Sequence, residues 1–519
     1  MKRRDFLKTS GAAVSIPFLL NGMRLSAMPR SPLFDAIDPA SDRVLVLIQK
    51  NGGNDGLNMV FPIDQYDRLA NVRANLLIPK NKILPLKDTL GLHPAMGGLR
   101  ALYEEEKLAV VQSVGYPNQN RSHFRSTDIW LSSSPANEYW NTGWLGRYLE
   151  TQAPGYPIDY PNASAPDPFA ITMGSTVSET CQGTATNFSL TLSDPFALIK
   201  LTEGNGGETP DTPYGDELSF LRTSIAQSNA YGDSISGAAK KGKNLATYPT
   251  GNRLADQLKN IALMISGGLK TKIYIANIGG FDTHATQVDS ADKTQGVHAN
   301  LLGQLSDAIG AFQKDLNMLG LEQRVVGITF SEFGRQIGSN ASVGTDHGTA
   351  APLFVFGSCI QTQVLGNNPQ IPEKLTTQEG VAMQIDFRDI YGSILKDWFQ
   401  VPDQDIKALI HPNFTYLPIL KDCNLATPTR EAHLNDLVDL KLYPNPFASE
   451  ATLRFSSPGG RIRISLFDAI GSELEVLADQ SFASGAHELT IDGQRLASGN
   501  YYVRVQGRQF VKTGILIKR

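Results

Sequence analysis

Between residues 42 and 422 the chain alternates short apolar runs with longer stretches of helical periodicity. VLVLIQ (44–49) carries no regular polar beat and predicts a strand buried on both faces. PAMGGLRALYEEEK (94–107) predicts a helix, LAVVQSV (108–114) a second strand, and SHFRSTDIWLSS (122–133) a helix entered through Ser122. KIYIANI (272–278), VVGITF (325–330) and LFVFG (353–357) read as further strands. NLLGQLSDAIGAFQKDLNML (300–319) places apolar residues at i, i+3, i+4 and i+7, the stripe of an amphipathic helix, and RDIYGSILKDWF (388–399) gives a later helix. Apolar runs without strict alternation, joined by helices, predict an α/β domain over residues 42–422 with a mostly parallel sheet flanked by helices.

The pattern changes in three places. Residues 150–250 are rich in Pro, Gly, Ser, Thr and Asn, as in TQAPGYPIDYPNASAPDPF, and read as a long irregular insertion that caps the sheet. Residues 440–519 alternate polar and apolar positions in RIRISLFDA, HELTI and YYVRVQ, between Gly, Asn and Ser turns. They predict a small all-β sandwich, joined through a linker at 423–439. Residues 1–30 open on a basic start with Arg3 and Arg4, continue through a weakly apolar stretch and pass a small-residue site at Leu25-Ser26-Ala27. They read as an export signal, too short and too polar in its apolar part to span a membrane.

Composition narrows the function classes. A formal net charge of −4 over 519 residues removes the electrostatic case for nucleic-acid binding. The three cysteines, Cys181, Cys359 and Cys423, leave at least one unpaired and form no C-x-x-C spacing. Neither a disulfide framework nor a cysteine-based zinc site is expected.

The chemistry-bearing residues collect where strands end. VLVLIQK runs into Asn51-Gly52-Gly53-Asn54-Asp55-Gly56, LAVVQSV into a turn carrying Arg121-Ser122-His123, KIYIANI into Gly279-Gly280-Phe281-Asp282-Thr283-His284, and VVGITF into Ser331-Glu332-Phe333-Gly334-Arg335. The segment holding Asp346 and His347 returns just before LFVFG. In an open α/β sheet ligands collect beyond the carboxyl ends of the strands, so these residues are expected to meet at one rim. Crowded carboxylates repel unless a cation is bound, and Asp, Glu and His are donors for zinc, manganese or magnesium, or for calcium where oxygens dominate. Asp55 also fits a turn cap, Ser122 a helix N-cap, and Arg335 an ion-pair partner for Glu332.

Three resemblances follow from quoted motifs. RRDFLK at the start resembles a twin-arginine export signal, which implies passage through the inner membrane in folded form. Tyr443-Pro444-Asn445-Pro446, LASGNYYVRV and the basic end Ile517-Lys518-Arg519 resemble the C-terminal sorting domain of the type IX secretion system of the Bacteroidetes. That implies a secreted or cell-surface protein, with the signal and the C-terminal domain removed, no transmembrane helix in the mature chain, and the two export machineries as partners. NGGNDGLNMVFP, GLHPAM, RSHFRSTDIW, GGFDTH, SEFGR and GTDHGTAAPLFVFG, in that order, resemble an uncharacterised family of exported bacterial proteins placed in the alkaline-phosphatase and sulfatase superfamily.

That last resemblance implies an alkaline-phosphatase-like sheet, and metal ligands at Asp55, Asp282, His284, Glu332, Asp346 and His347, with His298 as a substitute for His284. It implies Ser122 as nucleophile, His123 as base or bystander, and Arg121 or Arg335 balancing developing charge. The reaction implied is hydrolysis of a phosphate or sulfate ester, with a small-molecule or glycan ester as substrate. Phe333 stands where the superfamily commonly has a ligating histidine, and no Cys-x-Pro-x-Arg segment is present to mature into a sulfatase formylglycine. The alternative is a non-catalytic or carbohydrate-binding surface protein on the same scaffold. A Gly-Asp-Ser-Leu esterase, suggested by GGND, is set aside because neither its Gly-Asp-Ser block nor an Asp-x-x-His block is present.

Overall fold

The structure, a computed structural model, describes residues 42–158, 160–198, 201, 212–421, 440–468, 473–507 and 511–519. The 1–30 export signal and the 423–439 linker lie outside the described residues. The chain divides into two compact units, Met1–Cys423 and Asn424–Arg519.

The first unit is built on one large sheet. Its strands run in the order Val364–Leu365, Leu108–Gly115, Ala351–Phe356, Val325–Phe330, Val44–Lys50, Ile273–Ile278, Ala170–Met173 and Ser189–Leu192, with Ile385–Asp386 also paired to Leu108–Gly115. Ala351–Phe356 runs antiparallel to both its neighbours, and the other pairings are parallel. The central strand shows why its sequence lacks alternation. Leu45 and Leu47 pack toward Trp130, Trp144, Tyr391 and Trp398 on one face, while Val44, Val46 and Ile48 pack toward Leu258, Leu305 and Phe312 on the other. Each such side chain contributes about 1.5–3 kcal/mol by leaving water, so an apolar residue is favoured at every position.

Helices His123–Ser132, Trp144–Gln152 and Phe387–Phe399 cover the first face, and Gly97–Glu104, Arg253–Ser266 and Val297–Met318 the second. Their starts are fixed by side-chain caps where the sequence supplies them. Asn252 Oδ1 accepts from the backbone N–H groups of Leu254 and Ala255 at 3.1 Å each, and Asp386 accepts from that of Arg388 at 3.0 Å.

One expectation needs correction. Residues 150–250 are not an irregular cap: they add the parallel strands Ala170–Met173 and Ser189–Leu192 to the sheet and form the 29-residue helix Pro213–Lys241. The strands have four residues each, too few for periodicity to show, and the helix carries many serines and glycines instead of a leucine stripe. Cys359 is disulfide-bonded and Cys181 is free and buried, in keeping with the expectation that at least one of the three cysteines is unpaired.

The second unit is all-β. Glu450–Phe467 pairs along its length with Glu473–Asp492, and also with Leu440–Tyr443 and Gly499–Gly507, the latter carrying Val511–Lys518, all antiparallel. Its core gathers Leu453, Ile462, Ile464, Leu466, Val503, Val505 and Leu516, while Arg463 and Arg504 face out, as period-two patterning requires.

Candidate functional site

The register brings the expected strand ends to one rim. Lys50 pairs with Ile278 and Gln49 with Phe330, so the loops after these three strands leave side by side. Leu108–Gly115 exits at the same edge and Ala351–Phe356 enters from it. The tight loop after Val44–Lys50 needs its glycines: Gly52 and Gly53 have φ of +120° and +72°, and a Cβ would strike the Asp282 backbone at the first and the Phe333 ring at the second.

Arg335 ties these loops together. Its side chain is fully buried; Nε donates to Gly53 O at 2.6 Å, Nη1 to Thr345 O at 2.9 Å, and Nη2 to Gly52 O, to Phe281 O at 3.2 Å and to Asp282 Oδ1 at 2.5 Å. It therefore pairs with Asp282 and not with Glu332. Burial would raise the Asp282 pKa, but the Arg335 hydrogen bond and charge, followed by His284 and His123, hold it below the usual carboxylate value.

Around Asp282 the structure gathers a cluster. Among the described residues, His123, Asp282 and His347 bring one ligand atom each within 4.8 Å of one another. Asp282 Oδ1 lies 3.4 Å from His123 Nε2, 3.5 Å from His347 Nε2 and 2.9 Å from His284 Nδ1. The far sides of two rings are fixed. His123 Nδ1 is 2.8 Å from Glu332 Oε1, and His347 Nδ1 is 2.8 Å from the carbonyl oxygen of Arg121. Both partners only accept, so both Nδ1 atoms carry the hydrogen and a neutral ring presents a lone pair at Nε2. Burial first, then the charges of Arg335, His123 and His284, lower the His347 pKa against the opposing Arg121 carbonyl and favour its neutral form. Both Nε2 atoms are buried without a hydrogen-bond partner among the described residues. Two lone pairs aimed at a carboxylate oxygen repel it, and a cation between them reverses the sign of all three interactions.

The other expected residues fall elsewhere. Asp55 is fully buried: Arg73 Nη1 donates to both its oxygens at 3.0 Å and Gln287 Nε2 to Oδ2 at 2.7 Å, so it is closed off as a ligand. Burial raises its pKa, and the charges of Arg73 and His298 more than offset this. Glu332 accepts from Gly52 N at 2.8 Å and from Ser331 Oγ at 3.1 Å as well as facing His123; it holds the His123 ring in place instead of joining the cluster. Asp346 lies outside the cluster, its Oδ1 held by Asn340 at 3.0 Å. His298 does not replace His284: it is buried between Asn58 at 2.9 Å and Asn54 at 3.0 Å, and burial takes its pKa down to about 3.

Ser122 occupies the N-cap position before His123, is exposed, and its Oγ forms no hydrogen bond among the described residues. Arg121 reaches the carbonyl oxygens of His347 and Gln378 at 3.3 and 2.8 Å. Phe333 is buried with its ring centroid 4.8 Å from those of both His123 and His347, packing against the two imidazoles, which meet edge to face at 4.4 Å.

Sequence reasoning missed Lys50 and Arg73. Lys50 is fully buried, donates to Met59 Sδ at 3.8 Å, and has its pKa pulled down to about 7 by burial against the opposing charge of Glu332. Arg73 ends the helix Tyr66–Arg73, and nothing in that segment marks it as the partner of Asp55. A charged residue closing a run otherwise as apolar as VLVLIQ was the available signal for Lys50.

Residues 240–410 match the family described as Protein of unknown function (DUF1501). Residues 441–519 match the secretion system C-terminal sorting domain. The second match implies export through the type IX machinery. No helix among the described residues is long and apolar enough to cross a membrane. No curated protein matches the chain. Among solved structures, the chain is similar to a protein in the alkaline phosphatase superfamily from Vibrio parahaemolyticus (10% identity, 99% of this chain and 88% of that one, TM-score 0.33). It is also similar to the putative sulfatase yidJ from Bacteroides fragilis (10% identity, 91% of each chain, TM-score 0.31). A shorter match, 20% of this chain and 13% of the other, is to PorZ, a surface component of the type IX secretion system of Porphyromonas gingivalis (18% identity, TM-score 0.14).

Proposed function

We propose that this DUF1501 protein is an exported metal-dependent hydrolase of phosphate or sulfate esters with one divalent cation per chain, held by His123, Asp282 and His347 with His284 beside them. The observation that carries the reading is the pair of buried, unpartnered Nε2 atoms facing Asp282. The donor set fits the ion: a tetrahedral zinc site with bonds of about 2.0–2.1 Å separates its ligand atoms by roughly 3.3–3.4 Å, close to the 3.4 and 3.5 Å seen. Imidazole-rich donors favour zinc over manganese, magnesium and calcium. Asp282 Oδ2 has no hydrogen bond among the described residues and is free to ligate.

For a second ion, two of the expected carboxylates are already engaged. Asp55 is neutralised by Arg73, and Glu332 lies in the field of Lys50 while holding His123. In this site a bound cation would supply electrophilic polarisation of the ester oxygen. The chain's own residues do the rest. Glu332 and the Arg121 carbonyl orient the two rings, Arg335 fixes Asp282 and locks the glycine loop, and Ser122 offers the attacking hydroxyl next to His123. The twin-arginine signal and removal of both terminal segments belong to the same reading. A binding protein without catalysis is the second reading; it is favoured by Phe333, a side chain that cannot ligate, packed against both His123 and His347.

The test is elemental analysis of the full chain after incubation with zinc or manganese and removal of free ion, followed by assays on 4-nitrophenyl phosphate, its diester and 4-nitrophenyl sulfate. One ion per chain is expected, with turnover of at least one ester and loss of that turnover in Ser122→Ala. A chain that retains no ion overturns the site. An occupied site with no turnover gives the second reading, and turnover that survives Ser122→Ala removes the nucleophile assignment.

A further inference from the structure

Beside the cluster lies an open cleft of about 900 Å³, bounded by His123, Asp282 and Glu332 at one end and by the loop Gly174–Glu179 at the other. Its lining is unusual in charge. Carboxylates are present, at Asp128, Glu179, Asp282 and Glu332, but among the described residues no lysine or arginine lines it. Hydroxyl and amide side chains dominate instead. Gln49, Asn51, Thr127, Ser175 and Thr176 all face this space, and none of their side chains has a hydrogen bond among the described residues. At the cleft's edge Phe124, the residue after His123, is 91% exposed on the first turn of its helix.

An aromatic face left in water beside unpaired donors and acceptors is suited to a rigid ring with apolar C–H faces and a rim of hydroxyls. Other ligand classes fit poorly. A polyanion would meet carboxylates without a compensating cation outside the His–Asp cluster. An acyl chain would need an apolar tunnel, and this cleft is lined by polar groups at most positions.

We propose that the cleft binds the sugar part of the substrate. The ligand is an otherwise neutral oligosaccharide carrying a single phosphate or sulfate ester, stacked on Phe124 and hydrogen-bonded by Gln49, Asn51, Thr127, Ser175 and Thr176. The ester is then the one anionic group, and it falls at the end of the cleft where Asp282 and the histidines lie. This assignment rests on the hydrolase reading for the fate of the ester, but sugar binding itself needs neither the ion nor turnover.

Saturation-transfer NMR on the full chain, with the ion present and again after chelation, separates the two. The probes are unesterified tetrasaccharides of the chitin, cellulose, starch and β-1,4-galactan types, with adenine and a tetra-alanine peptide as non-sugar controls. At least one tetrasaccharide is expected to receive saturation with millimolar affinity, unchanged within twofold by chelation. Phe124→Ala is expected to weaken it tenfold or more, and Ser175→Ala with Thr176→Ala threefold or more; thermal unfolding of each variant reports its fold. No transfer to any of the four sugars, transfer to the controls alone, or a sugar signal untouched in a folded Phe124→Ala variant overturns the proposal. Sugar binding in a chain that holds no ion overturns the metal site and leaves this inference standing. An ion-loaded chain that cleaves nitrophenyl esters and binds no sugar does the reverse.

Discussion

Two polar layers lie beneath the same strand ends, and they differ in how completely they are satisfied. In the lower layer Asp55 is closed by Arg73 and Gln287, and His298 by Asn54 and Asn58, with every partner buried. In the upper layer His123 and His347 have one nitrogen fixed and the other facing Asp282 without a hydrogen bond. Sequence gave both layers the same residue types at equivalent positions. The difference teaches that a carboxylate at a strand end stays open to a ligand only if its internal partners leave an oxygen unengaged, as Arg335 leaves Asp282 Oδ2. The lower layer holds the loops; the upper layer keeps two imidazole nitrogens without a hydrogen-bond partner among the described residues.

The comparison breaks most sharply at the ion. His347→Ala with Asp282→Ala is expected to reduce bound zinc from one per chain to background, while the apo protein loses about 1–3 kcal/mol, because buried Arg335 gives up its carboxylate but keeps its backbone carbonyl acceptors. Mass spectrometric metal analysis and urea titration check the two halves, and retained zinc in this variant sinks the upper layer as drawn. Asp55→Ala should do the opposite. Leaving the Arg73 guanidinium buried and unpaired is expected to destabilise the fold by about 3–5 kcal/mol. If the variant still folds, its zinc content should stay at one per chain.

Acid separates the layers again. The unfolded chain protonates His298 below its ordinary value of 6.5, whereas the folded chain holds it neutral down to about 3. Stability from this residue is therefore complete above pH 6.5 and falls by about 1.4 kcal/mol per pH unit below it, roughly 3 kcal/mol by pH 4. His93, taken down to about 4 by burial, acts in the same direction. Urea titrations at pH 7, 5.5 and 4 measure the slope, and His298→Gln should flatten it. The smallest effect is expected at the link between the layers: Glu332→Gln keeps an acceptor for His123 but removes the charge, and zinc affinity should fall about 10–100-fold in competition with a chelator. Unchanged affinity would detach Glu332 from the site.

The fold was legible where pattern is long. Runs such as VLVLIQ and VVGITF gave the central strands, and the stripe in 300–319 gave the helix observed at Val297–Met318. The strands at Ala170–Met173 and Ser189–Leu192 were not legible, since four residues among prolines and serines carry no period. At the site, the meeting of Asp282, His284 and His347 at one rim followed from strand topology alone. The place of His123 in the cluster did not, because adjacent Ser122 drew the more obvious reading of that helix start.

What the sequence determined by itself was the alternation that builds a covered sheet, the period-two tail, and the deposit of histidines and carboxylates on glycine loops at strand ends. These follow from local rules of burial and turn geometry acting over a few residues. Tertiary structure decided which of those groups remain open. Arg73 lies 18 positions from Asp55, and Glu332 lies 209 positions from His123. Whether a buried carboxylate meets a guanidinium, an imidazole or an ion depends on partners that only the packed chain brings within hydrogen-bond reach.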